Sequence, residues 1–148
     1  MATKCAHSEE GGLHKAALAR LEASGLKLTP VRRRILSFLT RSHGPFTIEE
    51  IHEGLSGLDC NLVTVYRTLA SLEEAGLVRK YEIGDRVARF EYLCSEHPHH
   101  HLICTQCKKI EVLDADILSP VRKLARQRGF VSLSASVDIF GLCEDCDA

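Results

Sequence analysis

An α+β fold in two parts is what this sequence predicts: a winged helix-turn-helix, then a small α/β layer closed by a four-cysteine metal site. Three observations point there. The first half carries helical periodicity broken by capping signals, and it ends in two short strand patterns around Gly84-Asp85. Two C-x-x-C pairs, Cys104/Cys107 and Cys143/Cys146, stand about 35 residues apart. Between them lies a strand-helix-strand pattern. The predicted boundaries are 1–92 for the winged-helix domain with its N-terminal helix, 93–98 for a hinge, and 99–148 for a dimerisation and metal-binding domain.

The chain has 148 residues, 45% of them apolar, with a net charge of −1. That is enough for one ordinary domain or two small ones with a real core. No apolar run approaches the roughly 20 residues of a membrane span, and no signal peptide opens the chain. Seven reduced cysteines fit a cytoplasmic protein. The overall charge says nothing about nucleic acid, but its distribution does. Residues 13–41 hold seven Lys or Arg and one acid, Glu22, a patch able to track phosphates. The bland alternative is a solvated helix face.

Residues 1–12 are polar, and Cys5 and His7 there are read as incidental. Leu13, Ala17, Leu18 and Leu21 form one helical stripe that stops at Gly25. Thr29-Pro30 opens a second helix with the stripe Val31, Ile35, Phe38 and Leu39, leaving Arg32, Arg33 and Arg34 largely outside. His43-Gly44-Pro45 is a break. Thr47 with Glu50 makes a capping box for a third helix with Ile48, Ile51 and Leu55 inward. Asn61 caps a fourth, with Leu62, Val65, Leu69 and Leu72 inward and Thr64, Tyr66 and Arg67 outward or flanking. Residues 77–82 and 87–92 then pair as the wing. In a helix-turn-helix the start of the second helix reaches base edges. Arg67 is placed for guanine or phosphate, and Tyr66 for phosphate or a thymine methyl. Lys27, Arg32 and Thr64 complete the candidate DNA-binding set. In the bland alternative, Tyr66 is half-buried core and Arg67 a surface charge.

The second half begins with Cys94-Ser-Glu-His-Pro-His-His-His-Leu-Ile-Cys-Thr-Gln-Cys107. Cys104, Cys107, Cys143 and Cys146 offer four thiolates to a tetrahedral cation, which points to structural zinc. Two disulfides or four packed thiols are the plain alternative. Cys94, His97, His99, His100 and His101 are left over. His99 and His101 alternate, so on an extended segment they point one way and His100 the other. A thiolate and two imidazoles suit a second zinc. Further on, Ile110, Val112 and Leu113 suggest a strand. Ser119-Pro120 opens a helix to Arg128 with Val121, Leu124 and Ala125 inward. Residues 131–139 alternate as a half-buried strand. So small a sheet needs another surface to cover it, which implies a homodimer.

The sequence resembles the ferric uptake regulator family of metal-responsive repressors over residues 18–146. The marks are Leu28-Thr-Pro-Val-Arg32, Thr64-Val-Tyr-Arg-Thr-Leu69, Arg89-Phe-Glu91, the run from His99 to Cys107, and Ile139-Phe-Gly-Leu-Cys-Glu-Asp-Cys146. Within the family, Cys94-Ser-Glu-His and the histidines look most like the zinc uptake regulators. The resemblance implies a homodimer on double-stranded operator DNA that controls metal uptake genes. It implies no enzymatic activity, no small-molecule substrate and no membrane. It places structural zinc on Cys104, Cys107, Cys143 and Cys146. It places a regulatory zinc on Cys94, His99 and His101 plus a ligand from the DNA-binding half or wing: Glu91 first, with Glu111, His97 and His43 behind. Iron or manganese is the alternative metal, which would make an iron or peroxide sensor. The chain departs from the family pattern at several positions. Arg79 stands where many zinc sensors have His or Asp, and Pro45 where iron and peroxide sensors often have His. Leu118 and Ala135 replace the ligands of a further site. From other classes, a zinc enzyme would need an open metal position beside a general base and would leave the winged helix without purpose, and a metal-storage or chaperone module would use the same ligand count.

Overall fold

The computed structural model describes residues 10–42, 44–94, 100–113, 115–131, 135 and 137–147. These fall into two compact units, one ending at Leu93 and the other beginning at Cys94.

The first unit runs α1 (Glu10–Ala23), α2 (Pro30–Arg41), β1 (Phe46–Thr47), α3 (Ile48–Gly54), α4 (Leu62–Glu74), β2 (Val78–Glu82) and β3 (Ala88–Tyr92). The starts of α2, α3 and α4 are side-chain caps. Thr29 accepts from the Arg32 amide, Thr47 and Glu50 form a reciprocal capping box, and Asn61 accepts from the Thr64 amide. Each cap satisfies backbone donors that a helix start leaves without an intrahelical partner. The sheet order is β1-β3-β2, all antiparallel, and it places the wing hairpin beside α4.

The packing of this unit departs from expectation in three places. On α2 the buried residues are Ile35, Leu36, Leu39 and Thr40. Val31 and Phe38 are only half-buried. Phe38 instead meets Phe46 edge to face at 5.0 Å and lies so near Gly54 that an added Cβ there would sit 2.4 Å from its ring. Leu62 is 44% exposed, because the first residue after the cap still faces out. Strand β1 was not expected. It exists through its pairing with Phe90 and Arg89.

Arg20 leaves the basic patch altogether. Its guanidinium donates to the Tyr92 hydroxyl at 3.0 Å, to the Leu93 carbonyl, and to the Gly76 carbonyl at 2.9 Å. It therefore ties α1 to the ends of α4 and β3.

The second unit contains β4 (His100–Cys104), β5 (Ile110–Leu113), α5 (Ser119–Gln127), β6 (Asp138–Gly141) and α6 (Glu144–Asp147). The order β5-β4-β6 puts β4 at the centre, antiparallel to β5 and parallel to β6. Two expectations are corrected. The last strand covers Asp138–Gly141 rather than 131–139, of which 132–134 and 136 lie outside the described residues. On α5 Val121 and Leu124 are 55% and 54% exposed, and only Ala125 is half-buried. The apolar stripe is present, but the single chain does not cover it.

Candidate metal centre and nucleic-acid interface

The two C-x-x-C knuckles sit where strands end. Cys104 closes β4, and Cys107 follows in the turn to β5, where Lys108 takes a left-handed φ of 64°. Cys143 and Cys146 lie between β6 and the end of α6. The parallel pairing of Cys104 with Gly141 aligns the two knuckles. All four Sγ atoms lie within 4.8 Å of one another, with Cys107 and Cys143 3.6 Å apart. A tetrahedron with metal–sulfur bonds of about 2.3 Å has edges of roughly 3.8 Å, so the set fits one ion. The four sulfurs converge on one point rather than pairing off, which is the arrangement a single ion requires. All four cysteines are free.

The electrostatics suit a cation. Backbone amides of Cys107 and Cys143 donate toward the Cys104 sulfur and hold its thiol down at about 6. Cys146 is pushed up to about 12, first by the neighbouring Cys143 sulfur and then by burial. One thiolate forms readily and the last resists, until a divalent ion supplies the balancing charge.

The second candidate set is only partly within the described residues. His43, His97 and His99 lie outside them. Among the described residues, only the four cysteines form a group of ligands around one point. Cys94 is half-buried. Glu91 is 7% exposed and accepts from the Tyr81 hydroxyl at 2.8 Å. His101 is fully buried, with Nδ1 3.1 Å from Asp138 Oδ1. His100 is buried as well, and its Nδ1 accepts from the Val137 amide at 3.2 Å. Glu111 pairs in register with Leu102, so it lies on the sheet face opposite His101. There it is ion-paired with Lys109 at 2.8 Å, which lowers its carboxyl pKa. Asp138 was missed by the sequence reading. An acid beside an apolar strand was the only signal, and its meaning depends on a partner 37 residues away.

On the first unit, the outer side of α4 presents Val63, Tyr66 and Arg67, all exposed. Tyr66, at 51% exposure, is not core. Thr64 spends its hydroxyl proton on Asn61 at 3.0 Å, so toward another partner it can only accept. Arg32 donates to the Lys27 carbonyl at 2.8 Å, which joins those two residues at the start of α2. The His52 Nε2 donates to the Cys60 carbonyl at 2.8 Å, bracing the turn that leads into α4.

A helix-turn-helix with a wing, followed by a sheet closed by four thiols, defines a class: a transcription regulator that holds metal. The Ferric uptake regulator family model matches residues 23–140, and the chain belongs to that family. It is 35% identical over 132 residues to the peroxide-responsive repressor PerR of Staphylococcus saprophyticus, covering 87% of this chain and 88% of that one. To the peroxide operon regulator of Bacillus subtilis it is 35% identical over 135 residues, covering 89% and 92%. Among solved structures it is similar to the ferric uptake regulator of Pseudomonas aeruginosa with manganese: TM-score 0.75, 30% identity, 86% and 98% coverage. The chain is a metal-responsive transcription regulator and not an enzyme. No helix among the described residues is long and apolar enough to cross a membrane.

Proposed function

We propose that the chain is a zinc-dependent repressor that binds operator DNA in the cytoplasm as a homodimer and controls metal uptake genes. The carrying observation is the donor set. Beyond the four-cysteine centre, read here as structural zinc, the chain still offers a thiol at Cys94 and a buried imidazole at His101. Sulfur with nitrogen favours zinc over iron(II) or manganese(II), which suit nitrogen and oxygen donors better. Cys94, His99, His101 and Glu91 are the proposed regulatory ligands. Glu91 ranks above Glu111, because Glu111 is paired with Lys109 on the other sheet face. His97 and His43 remain weaker candidates. Bound zinc would supply the positive charge these thiol, imidazole and carboxylate donors share. The chain supplies the rest: α4 offers Tyr66 and Arg67 to base edges, while Lys27, Arg32 and Thr64 face the backbone. The occupied form then has the higher DNA affinity, and metal shifts the population toward it.

The homodimer is supported by surface that a lone chain leaves uncovered. β6 is an edge strand with Ile139 and Phe140 exposed, and α5 exposes Val121 and Leu124. Two such copies present two recognition helices to two half-sites.

A second reading is an iron- or peroxide-sensing regulator of the same family; the names of the 35% identical relatives favour its peroxide-sensing form. The Cys94→Ser variant decides between them. The zinc reading expects a folded chain that keeps its four-cysteine metal and loses zinc-dependent operator binding. Unchanged zinc dependence in Cys94→Ser removes the thiol from the regulatory set.

A further inference from the structure

The two adjacent buried histidines of β4 are not equivalent, and the difference bears on the regulatory ligand set proposed above, on which this inference rests. β4 and β6 run parallel, with His101 opposite Asp138. Opposed residues of neighbouring strands project to the same face, which brings the carboxylate to the ring: Asp138 Oδ1 lies 3.1 Å from His101 Nδ1. The imidazole is wholly buried, and the carboxylate side chain is 21% exposed. An ionised carboxylate can only accept. His101 Nδ1 therefore carries the proton, and in the neutral ring the lone pair sits on Nε2. That is the tautomer in which Nε2 serves as a metal ligand, with a carboxylate behind it to fix the ring and raise its basicity.

His100 shows the opposite state. The Val137 amide, which must donate, lies 3.2 Å from His100 Nδ1. The Nδ1 lone pair is thus already used, and the neutral ring holds its proton on Nε2. One short segment, Val137-Asp138, sets both tautomers: its backbone N–H selects one and its side chain selects the other.

We propose that Asp138 is a positioning residue for the regulatory metal. It holds His101 as an Nε2 donor, while the Val137 amide withdraws His100 from the ligand set. Sensing then depends on the register of β4 against β6, as well as on the residues that touch the ion. Loss of such a partner lowers metal affinity by about 10–100-fold.

The test uses the full chain with its four-cysteine site loaded, titrated with zinc against a competing chromophoric chelator. Asp138→Val should bind the second zinc about 10–100-fold more weakly and keep the four-cysteine zinc. Asp138→Asn, which keeps an acceptor oxygen, should lose less. His100→Asn, whose amide oxygen can still take the Val137 proton, should bind as the parent does, whereas His101→Asn should lose the second zinc. Long-range proton–nitrogen spectra of the parent before the second zinc is added should show Nδ1–H at His101 and Nε2–H at His100. This readout stands even if Asp138→Val fails to fold. The proposal is overturned if folded Asp138→Val binds like the parent, if His101 shows Nε2–H, or if His100→Asn loses as much affinity as His101→Asn. Should His101→Asn itself keep the second zinc, the ligand set is wrong, an outcome separate from failure of the Asp138 role.

Discussion

The winged unit and the sheet unit solve the same stability problem in different ways. Among the described residues, the buried apolar core lies almost wholly before Leu93. Only Ile103, Cys104 and Leu118 represent it afterwards. The winged unit buries its helix stripes against one another and against Phe90 and Tyr81 of the wing. In the sheet unit α5 buries nothing, and Phe130, Val131, Phe140 and Leu142 stand exposed. A small three-stranded sheet without a covering layer is marginal. The first unit therefore covers its apolar side chains with one another, whereas the second leaves apolar side chains its own chain does not cover beside four thiols grouped as a metal would require.

The largest effect should come from breaking the metal centre. Cys104→Ser or Cys143→Ser, or strong chelation, should remove one metal per chain and the dimer together, since binding energies of about 10–16 kcal/mol in such sites are folding energy. Sedimentation should show monomers, while hydrogen exchange in α2 and α4 stays protected. Loss of protection in both units would mean that the comparison is false.

Next comes the core of the winged unit. Leu36→Ala should destabilise it by about 2–5 kcal/mol, read by denaturant titration, with metal content unchanged. A loss below about 1 kcal/mol would contradict the observed phase of α2.

A smaller effect is expected at the nucleic-acid face. Arg67→Ala should weaken specific operator binding by about 1–3 kcal/mol and relax preference at one position. Fluorescence anisotropy on operator and scrambled duplexes measures both. Equal losses on the two duplexes would take Arg67 out of base reading.

The smallest concerns the wing tip. Two hydrogen bonds from Arg89, at 3.1 and 2.8 Å, hold the Asp85 carboxyl at about 2, below its usual value of 3.8. A depressed folded-state pKa stabilises the fold above the unfolded value, and that contribution fades as pH falls from about 4 through about 2. Parent and Asp85→Asn should therefore differ in thermal midpoint at pH 6 and converge near pH 2. A constant gap would remove the ion pair from the wing's stability.

How much of this was legible in the sequence follows from range. Thr29, Thr47 and Asn61 were readable as caps because a cap needs only its own next three residues. The four thiols were readable because each pair is local and its chemistry admits few partners. The phase of α2 was not, since Leu36 and Thr40 differ from Val31 and Phe38 only in what lies opposite them. Strand β1 could not be read from Phe46-Thr47 alone, because two residues become a strand only by pairing with β3. Asp138 belongs with these: its partner is set by a parallel register, and the alternating pattern of 131–139 drew attention to the apolar positions instead.

We propose that this regulator answers to zinc. The most direct measurement is operator binding by the full chain, with its four-cysteine site filled, across buffered series of free zinc, iron(II) and manganese(II). A zinc sensor should reach half-maximal binding at submicromolar free zinc and show none at comparable iron(II) or manganese(II). Operator binding driven by iron(II) or manganese(II), with zinc inert, would contradict it and identify the chain as an iron or peroxide sensor.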